Sequence, residues 1–163
     1  MSDVFCNTSP LIYLHRLGLL DLLRQLHGKV VIPTAVRDEI ATGVLLKKDV
    51  PVLSGLTWLE ERPAPLPVAL DFPRSLGPGE REAILLARAT AGSVVLLDDK
   101  AARNFAARLK LKLAGTLATL VIAHRRSLIG ELEPILDMLV TRGFRMSQTL
   151  RDITIRQGEM PTT

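Results

Sequence analysis

One stretch constrains the fold of this chain more than any other: Ser93-Val94-Val95-Leu96-Leu97-Asp98-Asp99-Lys100-Ala101-Ala102-Arg103. Four consecutive apolar residues, two of them β-branched, predict a strand buried on both faces, and such strands belong to parallel sheets covered by helices. The run ends abruptly at two carboxylates before a helical pattern begins. In open α/β sheets ligands bind beyond the carboxyl ends of the strands, so Asp98 and Asp99 are delivered to the edge where chemistry is expected. A single aspartate there is accounted for as the N-cap of the following helix. Two in a row ask for more than a cap.

The same alternation recurs along the chain. Val4-Phe5-Cys6 predicts a short strand ending at Asn7-Thr8-Ser9-Pro10, followed by helical spacing through Leu11, Ile12, Leu14 and Leu17. Asp21 to Leu26 continues helically and Gly28 closes it. Lys29 to Ile32 is a second strand, and Pro33 opens a helix over 34–41 with Val36 and Ile40 as its buried stripe. That register puts Glu39 on the border of the stripe and Asp38 toward solvent. Thr57 to Glu60 reads as a short strand, and Pro63, Pro65, Pro67, Pro73 and Pro78 predict an ordered surface loop across 60–79. Glu80 to Ala91 is a helix whose first turn carries Glu80 and Glu82, roughly 200° apart, so the two cannot face one point. Lys100 to Lys110 is helical, Leu111 to Ala114 a strand, and a helix follows Gly115-Thr116 from Leu117. Repeated strand and helix predict an α/β fold with a central, mostly parallel sheet and right-handed crossovers. The final third is helical, with segments at Glu131–Thr141 and from Gln148 to about Gln157. A single domain over 1–157 and a flexible tail over 158–163 complete the expectation.

With 163 residues, 47% hydrophobic and 23% charged, the chain can bury a core without staples, and 4% aromatics means a core of aliphatic side chains. One cysteine excludes a disulfide framework, and Cys6 in a strand reads as a small buried hydrophobe. No charged-then-apolar leader or membrane-length apolar run is seen, so a cytoplasmic location is expected. His15, His27 and His124 share no ligand spacing, and Ser9 has no nucleophile-elbow context, so neither a histidine metal site nor acyl transfer is indicated.

Asn7, Ser9, Glu39, Glu80 or Glu82, Asp98, Asp99 and Thr116 all fall at strand or helix ends. Carboxylates converging on one edge repel unless neutralised, and a hard divalent cation, Mg²⁺ or Mn²⁺, is the usual answer. Such a centre activates water and stabilises in-line displacement at phosphorus, the chemistry of metal-dependent nucleases. Twenty-one Lys plus Arg against seventeen Asp plus Glu give +4. Seven of the cations lie between 100 and 130, where no acid occurs: Lys100, Arg103, Arg108, Lys110, Lys112, Arg125 and Arg126. A basic strip beyond an acidic site suits a phosphate backbone, with Lys100, Arg103, Arg125 and Arg126 as candidate nucleic-acid contacts.

Five stretches, Cys6-Asn7-Thr8-Ser9-Pro10-Leu11-Ile12, Ile32-Pro33 to Glu39-Ile40, Gly79-Glu80-Arg81-Glu82-Ala83-Ile84, Leu97-Asp98-Asp99-Lys100 and Gly115-Thr116-Leu117, resemble in order and spacing the PIN-domain superfamily. More closely, they resemble its branch labelled DUF3368. The resemblance implies a three-layer α/β/α sandwich that cuts single-stranded RNA with acidic residues around Mg²⁺ or Mn²⁺. It further implies the toxin of a prokaryotic toxin–antitoxin module, held by a small antitoxin protein, and a homodimer. Carried over by motif, the family's first aspartate falls on Asn7, its helix glutamate on Glu39, its third acid on Glu82 and its fourth on Asp99 or Asp98. Ser9 matches a polar residue kept just after the first acid. Position 7 departs from the pattern: asparagine keeps a carbonyl oxygen able to ligate a hard cation but not the charge. Two expectations follow, a metal-dependent endoribonuclease and a catalytically weakened module that binds nucleic acid or a partner. A receiver-like phospho-switch fits less well, because its acidic pair would stand on the first strand.

Overall fold

The computed structural model describes residues 2–66 and 69–161; Pro67 of the proline-rich stretch, and Thr162 and Thr163 of the tail, lie outside the described residues. Five strands are present among them: β1 (Val4–Cys6), β2 (Val30–Pro33), β3 (Leu59–Arg62), β4 (Val94–Leu96) and β5 (Lys112–Ala114). Every pairing is parallel and the spatial order is β3-β2-β1-β4-β5. The helices are α1 (Thr8–Arg16), α2 (Leu22–His27), α3 (Thr34–Leu45), α4 (Pro78–Ala89), α5 (Lys100–Arg108), α6 (Thr116–Arg125), α7 (Leu132–Thr141) and α8 (Gln148–Glu159).

Strand side chains alternate between two separate cores, as the period of two requires. Val4, Cys6, Val30, Ile32 and Leu96 pack with Leu11 and Leu14 of α1, Val36 and Ile40 of α3, Leu120 of α6 and Leu136 of α7. Phe5, Val31, Val95 and Leu97 face the other way, against Ala83, Ile84 and Ala87 of α4 and Ala102 and Phe105 of α5. The result is the three-layer α/β/α sandwich, built from leucine, isoleucine, valine and alanine as the low aromatic content demands.

Helix α4 lies two residues earlier than expected and α5 ends two residues sooner, at Arg108, and three further differences have a visible cause. Helix α3 continues to Leu45, through Gly43, because the missing Cβ lets the Val50 side chain close against the helix. Helix α8 likewise runs through Gly158 to Glu159, since Gly158 is buried where a Cβ would collide with Leu132. The edge strand β3 starts two residues later than read, at Leu59, set by its register with β2, in which Val30 pairs with Leu59 and Pro33 with Arg62. Its sequence Leu-Glu-Glu-Arg is that of a protected edge. Glu60 pairs with Lys29 and Arg62, and Arg62 reaches Asp3, so the exposed side of the strand is charged.

From β1 the chain winds outward through β2 to β3, then returns to the other side of β1 for β4 and β5. The winding direction therefore reverses between β1 and β4, and a crevice opens outside their carboxyl ends. Those ends carry Asn7 on one side and Asp98 and Asp99 on the other. Tight joining at this point comes from the Asn7 amide, which donates to the Leu96 carbonyl at 3.1 Å.

Candidate active site

Asn7 occupies the N-cap position of α1, where an asparagine oxygen ordinarily accepts an amide of the first turn. It does not do so here. The third helical residue is Pro10, which has no amide hydrogen to offer. Asn7 is 3% exposed, and its Oδ1 is buried without a hydrogen-bond partner. Its direction is fixed by Gly79 on α4: a Cβ there would lie 2.9 Å from Asn7 Oδ1 and 2.7 Å from Glu39 Oε2. The amide oxygen of β1 and the carboxylate of α3 thus meet over one point of α4, and only glycine leaves them that space.

Glu39 is held at both oxygens. Thr8 Oγ1 donates to Oε2, and the Gly79 amide donates to Oε1 at 3.0 Å. That amide belongs to the N-terminal turn of α4, where a helix favours negative charge. The relation is reciprocal, because Glu82 of α4 accepts from the Ala35 amide at 2.9 Å in the first turn of α3. Each helix therefore seats a carboxylate on the other's N-terminus. Glu82 spends its bond on this packing and borders a separate cleft with Phe72, Leu76 and Arg81. The acid on α4 that senses the cluster is Glu80. Its Oε2 accepts from the Gly77 amide at 2.9 Å, closing the first turn. Burial raises its pKa, and the nearby charges of Asp99 and Glu39 raise it further against the lowering effect of the Gly77 bond.

The two aspartates after β4 divide their work. Asp98 takes the Thr116 amide at 2.8 Å on Oδ1 and the Thr116 hydroxyl at 2.6 Å on Oδ2, so it fastens the start of α6 to the end of β4. Burial raises its pKa, against the lowering effect of both Thr116 bonds and the Arg103 charge. Asp99 is exposed at the N-cap of α5 and accepts from the Ala102 amide at 2.9 Å through Oδ2. Its charge is among those that raise the pKa of Glu80.

The structure thus brings Asn7, Glu39, Glu80 and Asp99 to the crevice between β1 and β4, with Asp98 and Thr116 behind it. Ser9 is half-buried on the first turn of α1, and the hydroxyl that touches the cluster is that of Thr8. Thr8 and Gly79 were missed in the sequence. Thr8 had a signal in its position beside Asn7; Gly79 had none, because its role is the absence of atoms. The basic strip separates. Lys100 and Arg103 lie at the acidic edge, whereas Arg125 and Arg126 close α6, about 15 Å of helix away from Thr116. Arg103 is committed internally, its Nη1 donating to the Leu97 carbonyl at 2.8 Å and the Ala114 carbonyl at 2.9 Å. Arg125 donates to the Pro161 carbonyl at 2.7 Å. Cys6 is fully buried, with its thiol pKa pushed well up by burial and then by Asp98, as a core residue should be.

The donor set suits a hard divalent cation: oxygen ligands only, an orphaned buried carbonyl oxygen at its centre, and carboxylates that repel one another. Among the described residues, no group of three or more histidine, cysteine, aspartate or glutamate side chains is placed to hold a metal. Asn7 Oδ1 and the Glu39 carboxylate are the oxygens that meet over Gly79.

The electrostatics make a prediction. A carboxyl whose folded pKa lies above its unfolded value stabilises the fold below the unfolded pKa, and loses that contribution as pH rises through the folded one. Burial and the two neighbouring carboxylates put Glu80 in this class, so Glu80→Gln should flatten the fall in thermal stability between pH 4.5 and neutrality, its amide oxygen still serving Gly77. Melting temperatures of the variant and the parent protein across pH check this.

No curated protein and no solved structure matches the chain. A family model, described as DUF3368, a PIN domain, matches residues 3–159, which spans every strand and helix above. The chain therefore belongs to the DUF3368 family of PIN domains.

Proposed function

We propose that this protein is a metal-dependent endoribonuclease acting on single-stranded RNA. The observation that carries the reading is the buried, unpartnered Asn7 Oδ1 aimed at Glu39 across Gly79, an oxygen acceptor left unsatisfied at a topological switch point ringed by carboxylates. Such an atom costs about 1–3 kcal/mol unless something answers it. Asn7, Glu39 and Asp99 would hold Mg²⁺ or Mn²⁺, which when bound polarises a phosphodiester and lowers the pKa of an attacking water. Thr8 and Gly79 fix Glu39 so that it turns neither toward solvent nor onto Asn7. The raised pKa of Glu80 suits its Oε1, the oxygen that Gly77 does not bind, to take and return a proton. Lys100, exposed beside Asp99, draws the phosphate backbone toward the edge. Asp98 positions α6 and need not touch substrate.

The family suggests the toxin of a prokaryotic toxin–antitoxin module, acting in the cytoplasm and restrained by a small antitoxin protein. Two features support partners of this kind. Val44, Leu45, Leu46 and Val52 form an exposed apolar patch at the end of α3, and Met138 and Val140 stand exposed on α7, where a second copy could pair. Among the described residues no helix is long and apolar enough to cross a membrane.

The test is incubation of the purified chain with labelled single-stranded RNA and Mn²⁺, with and without chelator. Cleavage that chelation stops supports the reading; cleavage indifferent to chelation, or none at any Mn²⁺ concentration, rejects it. One observation favours a second reading. With asparagine at position 7, two carboxylates and an amide form the centre, so a module that binds RNA or a partner without cutting it is the alternative.

A further inference from the structure

A cleft of about 540 Å³ opens at Asp98 and runs between α5, α6 and α8. Leu117, Phe144, Leu150 and Ile153 give it apolar walls, and Asn104 and Gln157 add two side-chain amides. Leu150 and Ile153 remain 39% and 40% exposed, so their apolar surface lines open space and not the core. Lys100 and Arg145 stand exposed at the rim. The lining carries one carboxylate, Asp98, against three cations, Lys100, Arg103 and Arg145, so the net charge of the cleft is positive.

The wall made by α8 is rigidly seated. Ser147 Oγ caps the helix by accepting from the Leu150 amide at 3.1 Å, Thr154 Oγ1 donates to the Leu150 carbonyl at 2.8 Å, and Thr154 and Gly158 are buried. The cleft is a preformed feature of ligand size, apolar with a few polar groups, as small-molecule and base sites are.

We propose that this cleft seats the base of a nucleotide adjacent to the phosphate held at the acidic edge. The inference rests on the reading of Asn7, Glu39 and Asp99 as the cleavage centre, and adds where the substrate is gripped. Apolar walls bury the faces of an unstacked base, amides pair with its edge, and rim cations meet the flanking phosphates. Continuity decides the occupant: Asp98 lines the cleft and Asp99, the next residue, belongs to the acid cluster, so one strand of RNA reaches both.

The experiment uses the full chain in EDTA, which removes any dependence on cleavage. The probes are four fluorescein-labelled tetraribonucleotides, one for each base, and an abasic tetramer of equal length, read by anisotropy. The best base-bearing tetramer should bind at least tenfold more tightly than the abasic one, and Ile153→Glu should erase that difference while Val52→Glu, on the distant patch, preserves it. Should Ile153→Glu fail to fold, Arg145→Glu at the exposed rim should instead weaken binding of that tetramer at least tenfold. Equal binding of abasic and base-bearing tetramers, the pattern a protein-binding cleft would give, overturns the proposal, as does a base preference that Ile153→Glu leaves intact or, where that variant fails to fold, binding of the best tetramer that Arg145→Glu leaves unchanged. A base preference in a protein that never cuts RNA with Mn²⁺ rejects the nuclease reading and leaves the base site standing.

Discussion

Asp99→Asn is expected to lower Mn²⁺-dependent RNA cleavage by on the order of 10²- to 10³-fold, while the melting temperature moves by about 1 °C or less. The dissociation arises because capping and charge are separable at Asp99. Oδ2 caps α5 through the Ala102 amide, and asparagine caps a helix as well as aspartate does. What the substitution removes is the charge that Glu80 senses. Stabilising developing charge at a metal centre is worth several kcal/mol, and each ~1.4 kcal/mol is tenfold in rate. Single-turnover cleavage alongside thermal unfolding separates the two. Equal activity in the variant would remove Asp99 from the centre and leave it a cap.

Asn7→Asp should produce the opposite profile. Without metal it places another negative charge at a site 3% exposed, facing Glu39 across Gly79. An uncompensated buried charge costs about 3–5 kcal/mol, which for a domain of this length lowers the melting temperature by roughly 10 °C. Mn²⁺ should restore much of the loss, since an ion that binds only the folded state returns ~2.7 kcal/mol at a hundredfold excess over its dissociation constant. Activity at limiting Mn²⁺ should rise tenfold or more. Melting scans with and without Mn²⁺, together with cleavage across a metal titration, give the answer. A variant that is destabilised and gains neither metal-dependent recovery nor activity identifies the module as one that binds without cutting.

The two substitutions bracket a single physical question, how much negative charge the crevice holds and what offsets it. The protein with Asn7 can fold around an empty centre, since its buried member is neutral. An aspartate there would tie the fold to the ion.

Much of the architecture was legible in the sequence. The run Val94 to Leu97 could only be a strand covered on both faces, and its termination at Asp98 and Asp99 put acids on the ligand-binding edge. Glu39 was separable from Asp38 by helical geometry alone, and Asp38 does point out, paired with Arg37. The family pattern reached the same fold, which the matched family and the parallel sheet bear out.

The division of labour within the acids was decided elsewhere. Spacing showed that Glu80 and Glu82 could not both face the centre. Which one did depended on how α4 lies across α3, and the reciprocal seating of Glu39 and Glu82 on helix N-termini settled that orientation. Spacing was equally silent on Asp98 and Asp99, one half-buried and the other exposed, because the choice follows from where α6 begins in space. The basic strip was continuous in sequence and is divided in the fold, since a helix of ten residues carries Arg125 and Arg126 to the far edge. Sequence by itself determined the strands, the covered sheet and the presence of carboxyl and amide groups at its edge, because burial period and strand termination are local properties. Tertiary structure alone decided which oxygens meet, because the approach of Asn7 to Glu39 depends on how α3 and α4 pack beside β1 and on a Gly79 whose contribution is the space it leaves.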